Sequence, residues 1–215
     1  TQPIILAQQQ VDGKDTPVLY HAPKNGFFFT INRTNGKLID AKPFVDGINW
    51  ASGYDLSTGR PIEMPEARFY KTGKPFIGNP GALGAHNWHP MSYNPKTGLV
   101  YIPAMQIPQA YIAEQDALDA RKPVGFNVGL SLLAGAAPDD PAIHRAGVAM
   151  TTGRLVAFDP RAGKVAWSVD YPASWNGGTL TTAGNLVFQG TSMGRFRAYA
   201  ADSGRQLLDL DLQSG

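Results

Sequence analysis

The sequence has 215 residues, 43% of them hydrophobic and 17% charged. That supplies apolar material for a core, while a net charge of +2 with no run of basic residues excludes the electrostatic footprint of a nucleic-acid binder. There is no cysteine, so disulfides and thiolate metal sites are excluded within the chain.

Gly (24) and Pro (17) are plentiful, which points to many turns and short strands. The chain opens Thr1-Gln2-Pro3 without the basic and apolar pattern of a leader. It runs at once into Ile4-Ile5-Leu6 and stops at a turn, as expected of a segment from a longer protein. Asp12 and Asp15 flank a Gly-containing turn and are not candidates for a catalytic base.

In chain order, Gly26 to Asp40 (GFFFTINRTNGKLID) reads strand, turn, strand. Gly53 to Arg60 is a weaker copy, and Met91 to Pro103 (MSYNPKTGLVYIP) a clear one. Leu155 to Trp167 (LVAFDPRAGKVAW) and Phe196 to Leu208 (FRAYAADSGRQLL) repeat the shape. The shared pattern is small-x-Asp/Asn-x-x-x-Gly-basic. The Asx side chain starts the turn on its own downstream backbone, and the glycine closes it at positive φ. Trp167 completes one copy as a large apolar plug suited to wedging between sheets.

Gly36, Gly98, Gly163 and Gly204 are 62, 65 and 41 residues apart. A spacing near 41 suits one four-stranded propeller blade, and the longer gaps suit a blade plus an insertion. A β-sandwich with repeated hairpins is the alternative. Between about 105 and 150 the β signal fades. Tyr111 to Arg121 has helical character, and the apolar tract Val128 to Ala137 is too short and glycine-broken to span a bilayer. This region is expected to be an insertion on one face of the sheets.

Four stretches invite a functional reading. His86-Asn87-Trp88-His89 is a weak metal site, since no Cys and no nearby carboxylate adds ligands. It reads either as a packed turn or as a platform for a planar ligand, approached through the Gly-rich run Gly78 to Gly84. Lys24, just before an apolar strand, is either a solvated turn lysine or a clamp on an oxygen that gains negative charge. Trp175 and Asn176 sit in a Trp-Asn-Gly-Gly turn, which either packs locally or lines the same cavity. Ser174 and Ser192 lack a nucleophile-elbow context, and Gly-Asn-Pro-Gly at 78–81 is a turn that opens no helix.

Three long blocks carry a resemblance: APKNGFFFTINRTNGKLIDAKPF at 22–44, GAHNWHPMSYNPKTGLVYIPA at 84–104, and LVAFDPRAGKVAW through AYAADSGR at 155–205. In order and content they resemble the quinoprotein alcohol dehydrogenases, most closely the quinohaemoprotein branch. The resemblance is weakest over 109–150. It implies an all-β fold in which residues 1–215 form a partial, roughly four-blade segment of an eight-bladed propeller of W-motif repeats.

The same resemblance implies pyrroloquinoline quinone and Ca²⁺ on the propeller axis, with small primary or secondary alcohols oxidised to aldehydes in the periplasm. Hydride passes to the quinone while a carboxylate takes the hydroxyl proton. Lys24 would hold the quinone oxygens, and Asn87 and Trp88 would contact the ring by side chain and backbone. Lysine at position 24, where methanol-type relatives carry arginine, leans toward the ethanol and general alcohol branch. The catalytic aspartate, the calcium ligands and a vicinal disulfide are expected upstream of Thr1, leaving no catalytic base and no metal ligand here. A cytochrome or a haem c domain is the implied electron acceptor. The competing expectations are a non-catalytic propeller acting as an assembly scaffold and, more weakly, a carbohydrate binder using Trp50, Trp88 and Trp175.

Overall fold

A computed structural model describes residues 2–114, 129, 130 and 139–213. The first sheet is an antiparallel meander of β1 (Ile4–Val11), β2 (Lys14–His21), β3 (Phe27–Asn32) and β4 (Leu38–Pro43). A hairpin follows, β5 (Ala51–Asp55) with β6 (Arg60–Glu63), then a short helix at Phe69–Thr72 and β7 (Phe76–Gly78). The second sheet begins with β8 (Ser92–Asn94) and β9 (Leu99–Gln106). After β10 (Gln109–Tyr111), which pairs with β7, and a helix at Pro141–Ala149, it continues with β11 (Thr152–Asp159) and β12 (Lys164–Tyr171). The third sheet is β13 (Thr179–Thr182), β14 (Leu186–Gly190), β15 (Arg195–Ala200) and β16 (Gln206–Asp211), again in chain order.

The three sheets pack face to face. Val18, Tyr20 and Phe28 of the first meet Val100, Ile102, Val156 and Phe158 of the second, with Phe28 stacked on Phe158 at 4.5 Å. On its other face the second sheet places Tyr101, Leu155 and Tyr171 against Val187 and Tyr199 of the third. Burial on both faces explains why β9 reads Leu-Val-Tyr-Ile-Pro-Ala-Met without alternation, whereas β1 alternates. Adjoining first strands are tied through Ser92 Oγ to Thr179 Oγ1 at 2.8 Å and through Asn94 Nδ2 to Thr182 O at 3.1 Å. Three sheets arranged this way are propeller blades, and a two-sheet sandwich is set aside. Among the described residues the whole four-stranded sheets number three, against roughly four expected; residues 44–80 add a hairpin and a short strand instead.

The glycine turns form as expected, but they are not all equivalent. Gly36, Gly59, Gly98, Gly163 and Gly204 all have positive φ, and each donates its N–H to the carbonyl four residues back at 2.8–2.9 Å. Asn32, Asp55, Asn94 and Asp159 add the side-chain bond to backbone two residues on, at 2.8–3.0 Å. The fifth copy has Ala200 at that position and closes on backbone alone. Gly36, Gly163 and Gly204 join the third and fourth strands of their sheets, each just after a β-bulge at Thr30/Ile31, Ala157/Phe158 or Ala198/Tyr199. Gly98 joins the first and second strands of its sheet, with no bulge. The 62- and 65-residue spacings therefore do not measure blades.

Trp167 behaves as the expected wedge. It leaves β12 to lie on Gly204 of the next sheet and donates Nε1–H to Ala201 O at 3.0 Å. The stretch expected to be an insertion runs between β9 and β11 in the chain, and much of it lies outside the described residues. Tyr111 closes a strand where helical character was expected, and residues 115–121 lie outside the described residues, as does most of the tract 128–137. The helix comes later, at Pro141–Ala149, with Asp140 Oδ1 accepting from the Ala142 N–H at 2.7 Å.

Candidate functional site

In an antiparallel meander alternate connections share one end of the sheet. The glycine turns at 36, 98, 163 and 204 occupy one end. The other end carries the β2–β3 connection with Lys24, the segment 84–90 entering β8, the insertion after β9, and the segment 172–178 entering β13. Topology thus gathers every candidate site residue on one face. Asp12 lies on the opposite face, in the β1–β2 turn.

Lys24 is tied to the stretch that leads into Asn87 and Trp88. Lys24 Nζ donates to Ala82 O at 3.0 Å, and Ala85 N donates to Lys24 O at 2.9 Å. Gly84 lies on the lysine stem with φ at +89°. The fully buried His86 spans the junction, with Nδ1 2.6 Å from Ala22 O and Nε2 2.7 Å from His89 O. Both of its ring nitrogens are committed to backbone, which removes it as a metal ligand. Burial pulls the pKa of His86 below the ordinary imidazole value, against the two carbonyl contacts that raise it.

Trp88 is the exposed aromatic ring of this segment, 62% exposed. Its indole stacks on His89 at 4.2 Å, and His89 in turn meets Trp175 at 5.2 Å. His89 is buried and its Nδ1 has no hydrogen-bond partner; burial lowers its pKa. Asn87 turns inward. Its Nδ2 donates to Leu83 O at 2.8 Å, and its Oδ1 accepts from Trp88 N at 2.9 Å, so the side chain braces the backbone that carries the indole. Asn176 is likewise a brace, donating to Ala173 O at 2.9 Å and accepting from Ser192 N at 3.2 Å. Trp175, at positive φ, is the partly exposed member of that pair.

Beside Lys24 lies a cavity of about 430 Å³. Trp50, Phe69, Tyr70, Phe76 and Tyr111 supply its aromatic walls, and Gly78, Pro80, Gly81 and Ala82 line another side. Trp50 Nε1 is satisfied by Asn25 O at 3.0 Å, and Glu63 on the rim is paired with Arg68. Neither Asn87 nor Trp88 lines this cavity; the stretch leading into them is tied to Lys24 at Ala82 and Ala85. No local pattern in the sequence announces these aromatics, because the chain folds them together from four separate elements.

The residues present fit a flat ligand whose oxygens carry or gain negative charge. One of the three ammonium N–H groups of Lys24 is used on Ala82, and an indole stands exposed on the same face. Among the described residues no group of three His, Cys, Asp or Glu converges as a metal site, and no helix is long and apolar enough to cross a membrane.

A family profile described as the PQQ glucose/ethanol/alcohol dehydrogenase β-propeller domain matches residues 61–215. The chain belongs to this family. It is 49% identical over its full length to quinohaemoprotein alcohol dehydrogenase ADH IIB of Pseudomonas putida, and 47% identical to the quinohaemoprotein alcohol dehydrogenase of Comamonas testosteroni. It spans 29% of the length of each. The solved structure of Pseudomonas putida ADHIIG superposes on the whole chain with a TM-score of 0.92 at 44% identity, the chain covering 31% of that structure. The three face-to-face sheets are thus part of a quinoprotein β-propeller.

Proposed function

We propose that this chain forms part of a pyrroloquinoline quinone-dependent alcohol dehydrogenase that oxidises primary and secondary alcohols to aldehydes and ketones. The observation that carries the reading is the tie between Lys24 and the stretch leading into Trp88, the amine donating to Ala82 O and the Lys24 backbone carbonyl accepting from Ala85 N. Lys24 and Trp88 would hold the quinone, one by charge and the other by its flat face. Asn87 and Asn176 support them by setting the segments from which the indoles of Trp88 and Trp175 project, with Trp175 a further candidate contact to the ring. When bound, the quinone supplies a two-electron acceptor, chemistry that no side chain here provides.

The ammonium of Lys24 sits where negative charge develops, and it is pre-positioned by Ala82 so that little reorganisation is needed. Aromatic walls border the cavity beside it. Glu63, paired with Arg68, is not the proton acceptor. The carboxylate that takes the proton and the Ca²⁺ ligands lie in other parts of the whole enzyme, as does the haem c or cytochrome acceptor to which the relatives' name, quinohaemoprotein, points. A periplasmic location goes with this reading.

The test uses the full-length protein reconstituted with pyrroloquinoline quinone and Ca²⁺, with ethanol as substrate and a dye acceptor. Lys24→Ala lowers turnover by roughly two to three orders of magnitude, the usual loss on removing a pre-positioned charge stabiliser. An unchanged rate removes Lys24 from the mechanism. Turnover by the isolated 215 residues well above blank would overturn the division of the site between segments.

A further inference from the structure

We infer that Gln109 is a positioning residue for Lys24: it holds the loop whose carbonyl fixes the amine. The inference rests on the proposed role of Lys24 and extends it to a residue that acts through the lysine. Lys24 Nζ donates to Ala82 O at 3.0 Å, and the Ala82 N–H donates to Gln109 Oε1 at 3.1 Å. Ala82 thus carries both bonds, and displacing it moves the acceptor of the amine. A lysine ammonium sits on a flexible four-carbon stem, so a fixed acceptor is what selects one of its many rotamers.

The brace is itself firmly held. Ala82 lies outside any strand, between β7 and β8, so no ladder fixes it. Gln109 reaches it from β10, where it pairs with Gly78. Two residues earlier, Ile107 O accepts from Gly81 N at 2.9 Å. Gly81 permits this approach, since a β-carbon there would stand 2.6 Å from Gln109 Cβ and 2.7 Å from Ile107 O. Within the loop Gly84 N donates to Gly81 O at 2.9 Å, and Gly84 is the residue against which the lysine stem lies. The side-chain amide of Gln109 is the contact that substitution can remove while these backbone bonds stay.

The test uses the full-length holoenzyme with ethanol and a dye acceptor. Gln109→Met keeps the length of the side chain and loses the amide. It lowers kcat about fivefold, the worth of one hydrogen bond, and leaves KM for ethanol within about twofold. In a Lys24→Ala background the same substitution has no further effect, because the group it positions is gone. A residue that merely supports the fold would cost as much in both backgrounds. A second readout needs no quinone. Lysines of the quinone-free protein are reductively methylated with isotope-labelled formaldehyde. The Lys24 signal in the NMR spectrum, recognised by its loss in Lys24→Ala, shifts in Gln109→Met. That shift alongside an inert Lys24→Ala would keep the brace and discard the reading of Lys24. With Lys24→Ala impaired, an unchanged kcat in Gln109→Met overturns the inference, and so do equal losses in the two backgrounds or a Lys24 signal that stays in place. Should Gln109→Met not fold, Gln109→Asn, too short to reach Ala82, takes its place in both readouts; if neither folds, Gln109 is structural and the inference falls.

Discussion

Gly84 lies flat on Lys24. A β-carbon at Gly84 would stand 2.5 Å from the lysine Cγ and 2.8 Å from its Cα, and φ there is +89°, where side chains are strained. The amine therefore takes its position from a glycine sixty residues further along the chain. Gly84→Ala is expected to cost about 1–2 kcal/mol from backbone strain, with a further loss from displacing the lysine. Urea unfolding of the full-length protein measures the first part, and titration with the quinone measures the second. Wild-type values for both would show that the contact positions nothing.

Trp167 is the one tryptophan among the three equivalent wedge positions, four residues beyond Gly36, Gly163 and Gly204. Asp40 and Leu208 occupy the other two. A β-carbon on Gly204 would stand 2.6 Å from the indole, so ring and glycine interlock across the sheet boundary. Trp167→Ala is expected to destabilise by about 3 kcal/mol through the lost ring and the space it leaves. Trp167→Phe should recover most of this but forfeit about 1 kcal/mol for the hydrogen bond to Ala201 O. Equal losses in the two variants would place the stabilisation in the indole N–H rather than in packing.

Acidification is expected to destabilise the fold. His86, His89 and His21 all have pKa values below the ordinary imidazole value, with burial the largest cause in each. The unfolded chain then binds more protons than the folded one below the ordinary value of about 6.5, so stability rises with pH across that window. The contribution is complete above about pH 6.5 and is lost as pH falls through the depressed folded values. Urea midpoints measured from pH 8 down to 5 should fall with acid, and less steeply in His21→Gln. A midpoint that held constant or rose on acidification would contradict this.

The 215 residues expressed alone are expected to self-associate. Strand register puts Leu180, Phe188, Phe196, Leu208 and Leu210 on one face of the third sheet, and Leu180 is 62% exposed. On the first sheet Ile4 and Leu6 face outward at 55% and 61% exposure. Faces of this composition are covered in stable proteins. Sedimentation of the isolated segment at rising concentration reads the outcome, and a monomer throughout refutes it.

The sequence by itself determined what depends on near neighbours along the chain. The turns at Asn32–Gly36, Asn94–Gly98 and Asp159–Gly163 are legible because an Asx side chain bonds backbone two residues on and glycine alone accepts the positive φ. Trp167 stood out as a wedge, and the long blocks around Lys24, Trp88 and Trp167 carried the family. Only the tertiary structure decided which turns correspond. Gly98 has the same local chemistry as Gly163 yet joins a different pair of strands, and local torsions do not encode a turn's place in a sheet. The clamp of His86 between Ala22 and His89, the seat of Lys24 under Gly84, and the aromatic cavity from Trp50 to Tyr111 were equally hidden. Each joins residues far apart in the chain, and such contacts exist only once face-to-face packing of the sheets has repaid the entropy of closing the loops between them.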